Sequence, residues 1–456
     1  MKHWKNILFI ITTFVLALAS CSKDDIHGDG FHHPAQKGPE ESPRISTEEK
    51  RNVLLLYSAG YNSLSDYLIE DINDLQQGWL PGSGRNDNIL LVYSHLPVKK
   101  NAYSTDTSPT LTRIYSDHNG QTVRDTLEKY PSGTRSATAE QLNKVLNDVK
   151  QAFPAKSYGM IFSSHATGYL PAGYYTNPRG YFYHEKSGIS YRIGGGRDVA
   201  CPVPYTAPEH DPSLPEVKSI GQDQVGGYGS YVSYEIELDD FAKALPMQIE
   251  YILFDACLMG GIEVAYELKD KCHYVGFSQT EVLAEGFDYK SLAEHLLGSD
   301  TPDPLAVCED YFQQYDIQSG VYRSATISMI DCTRLEPIAD VCRGLFEKYR
   351  TQMALVNPET IQRFYRSDYH WFYDMVDIVA RSGATEDEIQ AMNEALDQCV
   401  VYKAATPEFM GAFPIDTFSG LSMYFPYTKL DGSIPELTLQ MYYKTLKWNI
   451  ATGLVK

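Results

Sequence analysis

The 456-residue chain carries 39 Lys and Arg against 59 Asp and Glu, a formal net charge of −20, which weighs against nucleic acid and anionic lipid surfaces as ligands. With 43% hydrophobic and 21% charged residues, it has the composition of a globular protein with a sizeable core. Its length suits one large domain with an extension, or two domains.

The first twenty residues form a signal segment: a short Lys-containing start, then an apolar run from Ile7 to Leu18 that is too short to span a membrane comfortably. Its end, Leu18-Ala19-Ser20-Cys21, resembles a bacterial lipobox, in which Cys21 would carry lipid after cleavage. The SKDD that begins one residue later resembles the acidic export signal of surface lipoproteins in Bacteroides-like bacteria, so an outer-membrane, surface-exposed lipoprotein is expected. A plain cleaved signal with a chance cysteine is the alternative. Residues 21 to 50 are rich in Gly, Pro, His, Glu and Ser and read as a flexible tether. His27, His32 and His33 within it fit a solvated linker better than a metal site.

The core begins with two all-apolar runs, Val53 to Tyr57 and Ile89 to Tyr93, of the kind found in strands covered on both faces. Between them Leu64, Leu68, Ile72 and Leu75 recur at helical spacing. Thr138 followed by Gln141 is a capping-box pattern that opens a second helix through Leu142, Val145, Leu146, Val149 and Phe153. A strand follows at Tyr158 to Ser163. The stretch from about 168 to 234 is crowded with Gly, Pro, Tyr and Ser and is expected to be an insertion or functional loop carrying hairpins. Regular patterning resumes with a helix at Leu238 to Leu245, a strand at Tyr251 to Phe254, a helix at Gly260 to Leu268 and a strand at Tyr274 to Ser278. This alternation predicts an α/β sandwich with a largely parallel sheet over 51–300. Beyond residue 300 the pattern is mostly helical (Leu305 to Tyr315, Leu335 to Tyr349, Thr385 to Cys399), with strand-like runs at Val400 to Lys403 and Leu421 to Phe425. Residues 301–456 therefore read as a C-terminal extension packed on the first part.

Beyond Cys21 seven cysteines remain, at 201, 257, 272, 308, 332, 342 and 399. An odd number allows up to three disulfides and leaves at least one thiol over. No Cys/His spacing suggests zinc.

Two strand ends carry chemistry. MIFSSHATGY puts His165 just past one strand, and YILFDACLMG puts Cys257 just past another. In a parallel sheet the carboxyl ends of neighbouring strands face a common crevice, where an imidazole can favour the thiolate and protonate a leaving amine. Taken singly, Cys257 also fits a buried core thiol, His165 a loop histidine, and Asp255 a turn or cap aspartate.

Together, SSHATGYLP and DACLMGGIEVAYEL resemble the clostripain family of cysteine endopeptidases, of the caspase-like clan. SAGYNSLSDYLIEDINDL, YEIELDDFAKAL, VGFSQTEVLAEGFDY and GLSMYFP extend the resemblance over most of the mature chain. It implies a caspase-like three-layer sandwich and a Cys257 and His165 dyad, with the oxyanion held by the backbone N–H groups of Ala166 and Cys257. It further implies Asp255 in the S1 pocket, selecting Arg or Lys at P1, with Ser278 and Glu281 on the pocket's other wall. A zymogen cut between the two motifs is implied as well, after Arg179, Arg192 or Arg197; the last follows three glycines.

One departure stands out. The family typically has glycine after the histidine, where this chain has Ala166, and a backbone needing positive φ there would cost about 1 kcal/mol or more. The acidic runs at Asp211, Asp223, Asp239 and Asp240 lack EF-hand spacing, so no cofactor or metal is expected; calcium, on which some relatives depend, is not arguable from the sequence. Protein or peptide substrates are the expected partners of a monomer that meets the membrane only through its lipid. A catalytically silent lipoprotein that binds peptides or glycans is the alternative, motivated by Ala166 and 34 tyrosines.

Overall fold

The computed structural model describes residues 51–82, 84–96, 108–174, 235–366, 371–426 and 434–456, together with the backbone of five short strands between 181 and 234. Cys21, Arg179 and Arg197 lie outside the described residues. Arg192 ends a short strand, and its side chain is likewise outside them.

Nine strands form one sheet. They are β1 (Asn52–Ala59), β2 (Ile89–His95), β3 (Thr110–Ser116), β4 (Thr122–Lys129), β5 (Ser157–Ser163), β6 (Ile249–Asp255), β7 (Cys272–Phe277), β8 (Thr326–Asp331) and β9 (Val400–Ala405). The order across the sheet is β9-β8-β7-β6-β5-β1-β2-β3-β4. The five central strands, β7, β6, β5, β1 and β2, run parallel, and the two pairs flanking them run antiparallel. β1 is buried at every position, which is why its sequence shows no alternation.

Helices cover the sheet in a three-layer α/β sandwich. α1 (Ser65–Gln77) buries Leu68, Ile72 and Leu75, three of the four residues read as its apolar stripe, and the fourth, Leu64, is its buried N-cap. α2 (Ala139–Ala152) starts at Thr138, whose side chain accepts from Gln141 N. α3 (Leu238–Ala244) and α4 (Ile262–Leu268) follow α2 on one side, joined there by α7 (Glu336–Met353) and α11 (Lys447–Thr452), while α5 (Leu292–Leu297) packs on α6 (Pro304–Asp316).

The region beyond residue 300 is mostly helical, adding α8 (Met375–Arg381), α9 (Glu386–Leu396) and α10 (Ile434–Tyr443). It also supplies β8 and β9, which extend the same sheet past β7. Within 181–234 the short strands pair as one antiparallel hairpin, Tyr181–His184 with Ile189–Arg192, and one antiparallel trio. Six cysteines, 257, 272, 308, 332, 342 and 399, are buried thiols, so none of the disulfides that the cysteine count allowed forms among them.

Candidate active site

Sheet order locates the site. From β1 the chain goes to β2 on one side and later to β5 on the other, so the topological switch point, where open α/β sheets form their crevice, falls between β1 and β5. His165 follows β5 and Ser63 follows β1 at that mouth. β6 lies beside β5 in parallel register, with Asp255 opposite Ser163. His165 and Cys257 therefore each stand two residues beyond a register pair, at equivalent points on neighbouring strands.

The loop bearing Cys257 is held by backbone. Leu258 N donates to Thr280 O at 2.9 Å and Gly260 N to Ser278 O at 2.7 Å, so residues 257–260 run alongside 278–282. The thiol is fully buried, and Val282 N donates to Cys257 Sγ at 3.1 Å. Leu258, directly after the nucleophile position, has φ 62°, a left-handed conformation that costs a leucine about 1 to 3 kcal/mol and is tolerated where the surroundings enforce it. Gly168 of the histidine loop presses on this point. A Cβ there would lie 2.5 Å from Leu258 O, and its own φ is +62°.

The histidine loop is held by side chains. Ser163 Oγ donates to Asp255 Oδ2 at 3.0 Å, Ser164 Oγ to Ala59 O at 2.8 Å, and Ser63 Oγ lies 3.1 Å from His165 Nε2. Ala166 is absent from the positive-φ residues of the chain, so the strain that alanine would suffer there does not arise. Further along, Ala172 N and Gly173 N donate to Glu237 Oε1 and Glu235 Oε2 at 3.1 and 2.7 Å, tying together the two ends of the 175–234 segment. Burial and the nearby Asp239 push Glu237 up to about 8. Residues from both loops, among them His165, Ala166, Gly168 and Met259, line a cavity of about 70 Å³ with Glu235 and Phe241.

The expected pocket residues are all buried. Asp255 Oδ2 accepts from Tyr289 OH at 2.7 Å as well as from Ser163. Ser278 Oγ donates to Thr280 O at 3.1 Å and lies 2.9 Å from Thr326 Oγ1. Glu281 forms a two-pronged ion pair with Arg366, at 2.5 and 2.7 Å. Ser63, Arg366, Tyr289 and the Val282 N–H escaped sequence reasoning. A serine ahead of a helix reads as a cap, Arg366 sits in no motif, and a backbone donor leaves no mark in sequence. Among the described residues no cluster of His, Cys, Asp and Glu could hold a metal ion.

A buried cysteine and a histidine that follow adjacent parallel strands, beside the switch point of an α/β sheet, fit the class of α/β cysteine peptidases. The family model described as "Clostripain family" matches residues 56–191 and 207–450, and the chain belongs to that family of cysteine peptidases. Among solved structures, an inactive zymogen C11 protease from Parabacteroides distasonis is similar at 26% identity and TM-score 0.67, covering 88% of this chain and 98% of that one. A secreted C11 cysteine protease from Bacteroides thetaiotaomicron shares the fold at 23% identity and TM-score 0.64, covering 88% and 99%. A secreted C11 cysteine protease from Bacteroides thetaiotaomicron in complex with an irreversible peptide inhibitor shares the fold at 21% identity and TM-score 0.63, covering 88% and 98%. No curated protein matches.

Proposed function

We propose that this chain is a cysteine endopeptidase that cleaves proteins after Arg or Lys. The Cys257 thiolate attacks the scissile carbonyl, His165 protonates the departing amine, and water activated by His165 then hydrolyses the acyl-enzyme. The observation that carries the reading is the β5–β6 register, which sets both residues at equivalent points past paired strand ends. The N–H groups of Ala166 and Cys257 are assigned to the oxyanion. Asp255 is assigned to P1 selection: a carboxylate fixed by Tyr289 and Ser163 favours a basic side chain and repels an acidic one. Ser278 and Glu281 are assigned to the same pocket, with Glu281 held in its wall by Arg366.

The buried thiol supports a resting, uncut state, relieved by self-cleavage after Arg179, Arg192 or Arg197. The signal segment and Cys21 assign the protein to the outer surface as a lipoprotein, tethered through residues 21–50. No cofactor is assigned.

The test uses the chain from Ser22 onward, with and without Cys257→Ala, on fluorogenic peptides that differ only at P1: Arg, Lys, Asp and Leu. Cleavage after Arg and Lys, lost in the variant, is expected. Silence on every peptide, even after trypsin has opened the 175–234 segment, would replace this reading with a peptide- or glycan-binding relative.

A further inference from the structure

Ser63 lies one residue before Leu64, the N-cap of α1, and α1 has no side-chain cap. The Ser63 hydroxyl turns to His165 Nε2 at 3.1 Å. The turn that aims it is built. Asn62 is buried, its Oδ1 accepts from Leu64 N at 2.9 Å, and its Nδ2 donates to Ala59 O at 3.1 Å. Ser65 N closes the turn on Asn62 O at 3.3 Å. Residues on both sides of Ser63 are thus fixed to the end of β1. The same Ala59 O accepts from Ser164 Oγ, the neighbour of His165, at 2.8 Å. One carbonyl therefore locks the serine turn and the histidine loop to a common point, and the Oγ to Nε2 contact spans the β1/β5 switch point.

An imidazole acts as base and acid only when its ring is correctly oriented, and a partner on one nitrogen restrains that orientation while the hydroxyl, which both donates and accepts, suits either tautomer. We propose that Ser63 is a positioning residue that holds Nε2 of His165 and makes the Cys257 and His165 pair a three-membered arrangement. The proposal rests on the peptidase reading above. Ser63 is itself exposed, at the rim of the crevice, so water competes for the contact in the open site and the effect of its loss is moderate.

The experiment compares wild type with Ser63→Ala and Ser63→Thr. Ser63→Ala is expected to lower kcat about tenfold, a fraction of what general acid–base catalysis contributes, with KM unchanged and thermal unfolding unmoved. Ser63→Thr, which keeps an Oγ, restores kcat. Long-range ¹⁵N–¹H spectra of His-labelled protein, with His165 signals identified by their loss in His165→Ala, give a second readout that needs no activity. One sharp set of His165 ring signals is expected in wild type and Ser63→Thr, and shifted or exchange-broadened signals in Ser63→Ala. Unchanged His165 ring signals with unchanged kcat in Ser63→Ala overturn the proposal. Absence of peptide cleavage in wild type overturns the peptidase reading instead, and the spectra then decide the role of Ser63 alone.

Discussion

The two loops that meet at the crevice are fastened in opposite ways. The Cys257 loop is locked by backbone hydrogen bonds to 278–282, accepts a left-handed leucine, and gives its thiol no solvent. The His165 loop is steered by hydroxyls from Ser63, Ser163 and Ser164, groups that rotate and exchange partners easily. A substitution can remove a hydroxyl and leave the backbone in place, so the His165 loop is open to single changes that the Cys257 loop resists. The difference teaches which of the two loops a single side-chain change can loosen.

Four measurements would break or sharpen that contrast. The largest effect is expected from Cys257→Ala, which should lower kcat/KM by on the order of 10,000-fold or more; residual turnover near wild type would remove the nucleophile from this loop. Next comes Arg366→Ala, which leaves the buried Glu281 carboxylate without its guanidinium. About 3 kcal/mol of stability should be lost in urea unfolding, with a fall in kcat/KM as the segment against the thiol loosens. Pairing it with Glu281→Gln in a double-mutant cycle should return a coupling above about 1 kcal/mol, and additivity would mean the pair does not brace this loop.

Gly168→Ala tests the contact between the loops. The new Cβ meets Leu258 O at a φ of +62°, and a loss of about 1 to 3 kcal/mol is expected; an unchanged melting temperature would show that the two loops move independently. The last measurement is a pH slope. Glu237, raised from 4.5 to about 8, holds a proton in the folded chain that the unfolded chain has already released. Its contribution to stability is complete below about 4.5 and is lost as pH rises through 8. Glu237→Gln should flatten the decline in unfolding free energy between those values, and an unaltered slope would assign the decline to other buried acids such as Glu263, which burial raises to about 7.

Much of this was legible in the sequence because burial leaves a plain trace. The runs VLLLY and ILLVY became β1 and β2, Thr138 became a cap, and SHATG and DACLMG fell at neighbouring strand ends. What escaped lacks that trace. β4, TVRDTLEK, is an exposed edge strand whose charges read as loop, and charge on an edge also discourages further pairing. β3 alternates too weakly to announce itself, and β8 is short and enters the sheet antiparallel after a long helical stretch. At the site, Arg366 reaches Glu281 across 85 positions, and Ser63 reaches His165 across 102. Pairings of that separation are decided by topology, which no local pattern encodes.

That topology has a bearing on any cut made between the two motifs. β5 and β6 are hydrogen-bonded neighbours from Tyr251 opposite Gly159 to Asp255 opposite Ser163, in the middle of nine strands. A break within 175–234 would separate the chain into two polypeptides without separating the histidine from the cysteine. To part them, the sheet would have to split along its centre. The covalent link between the motifs is thus dispensable to their neighbourhood, and a nicked molecule should run as two bands on a denaturing gel while eluting as one particle.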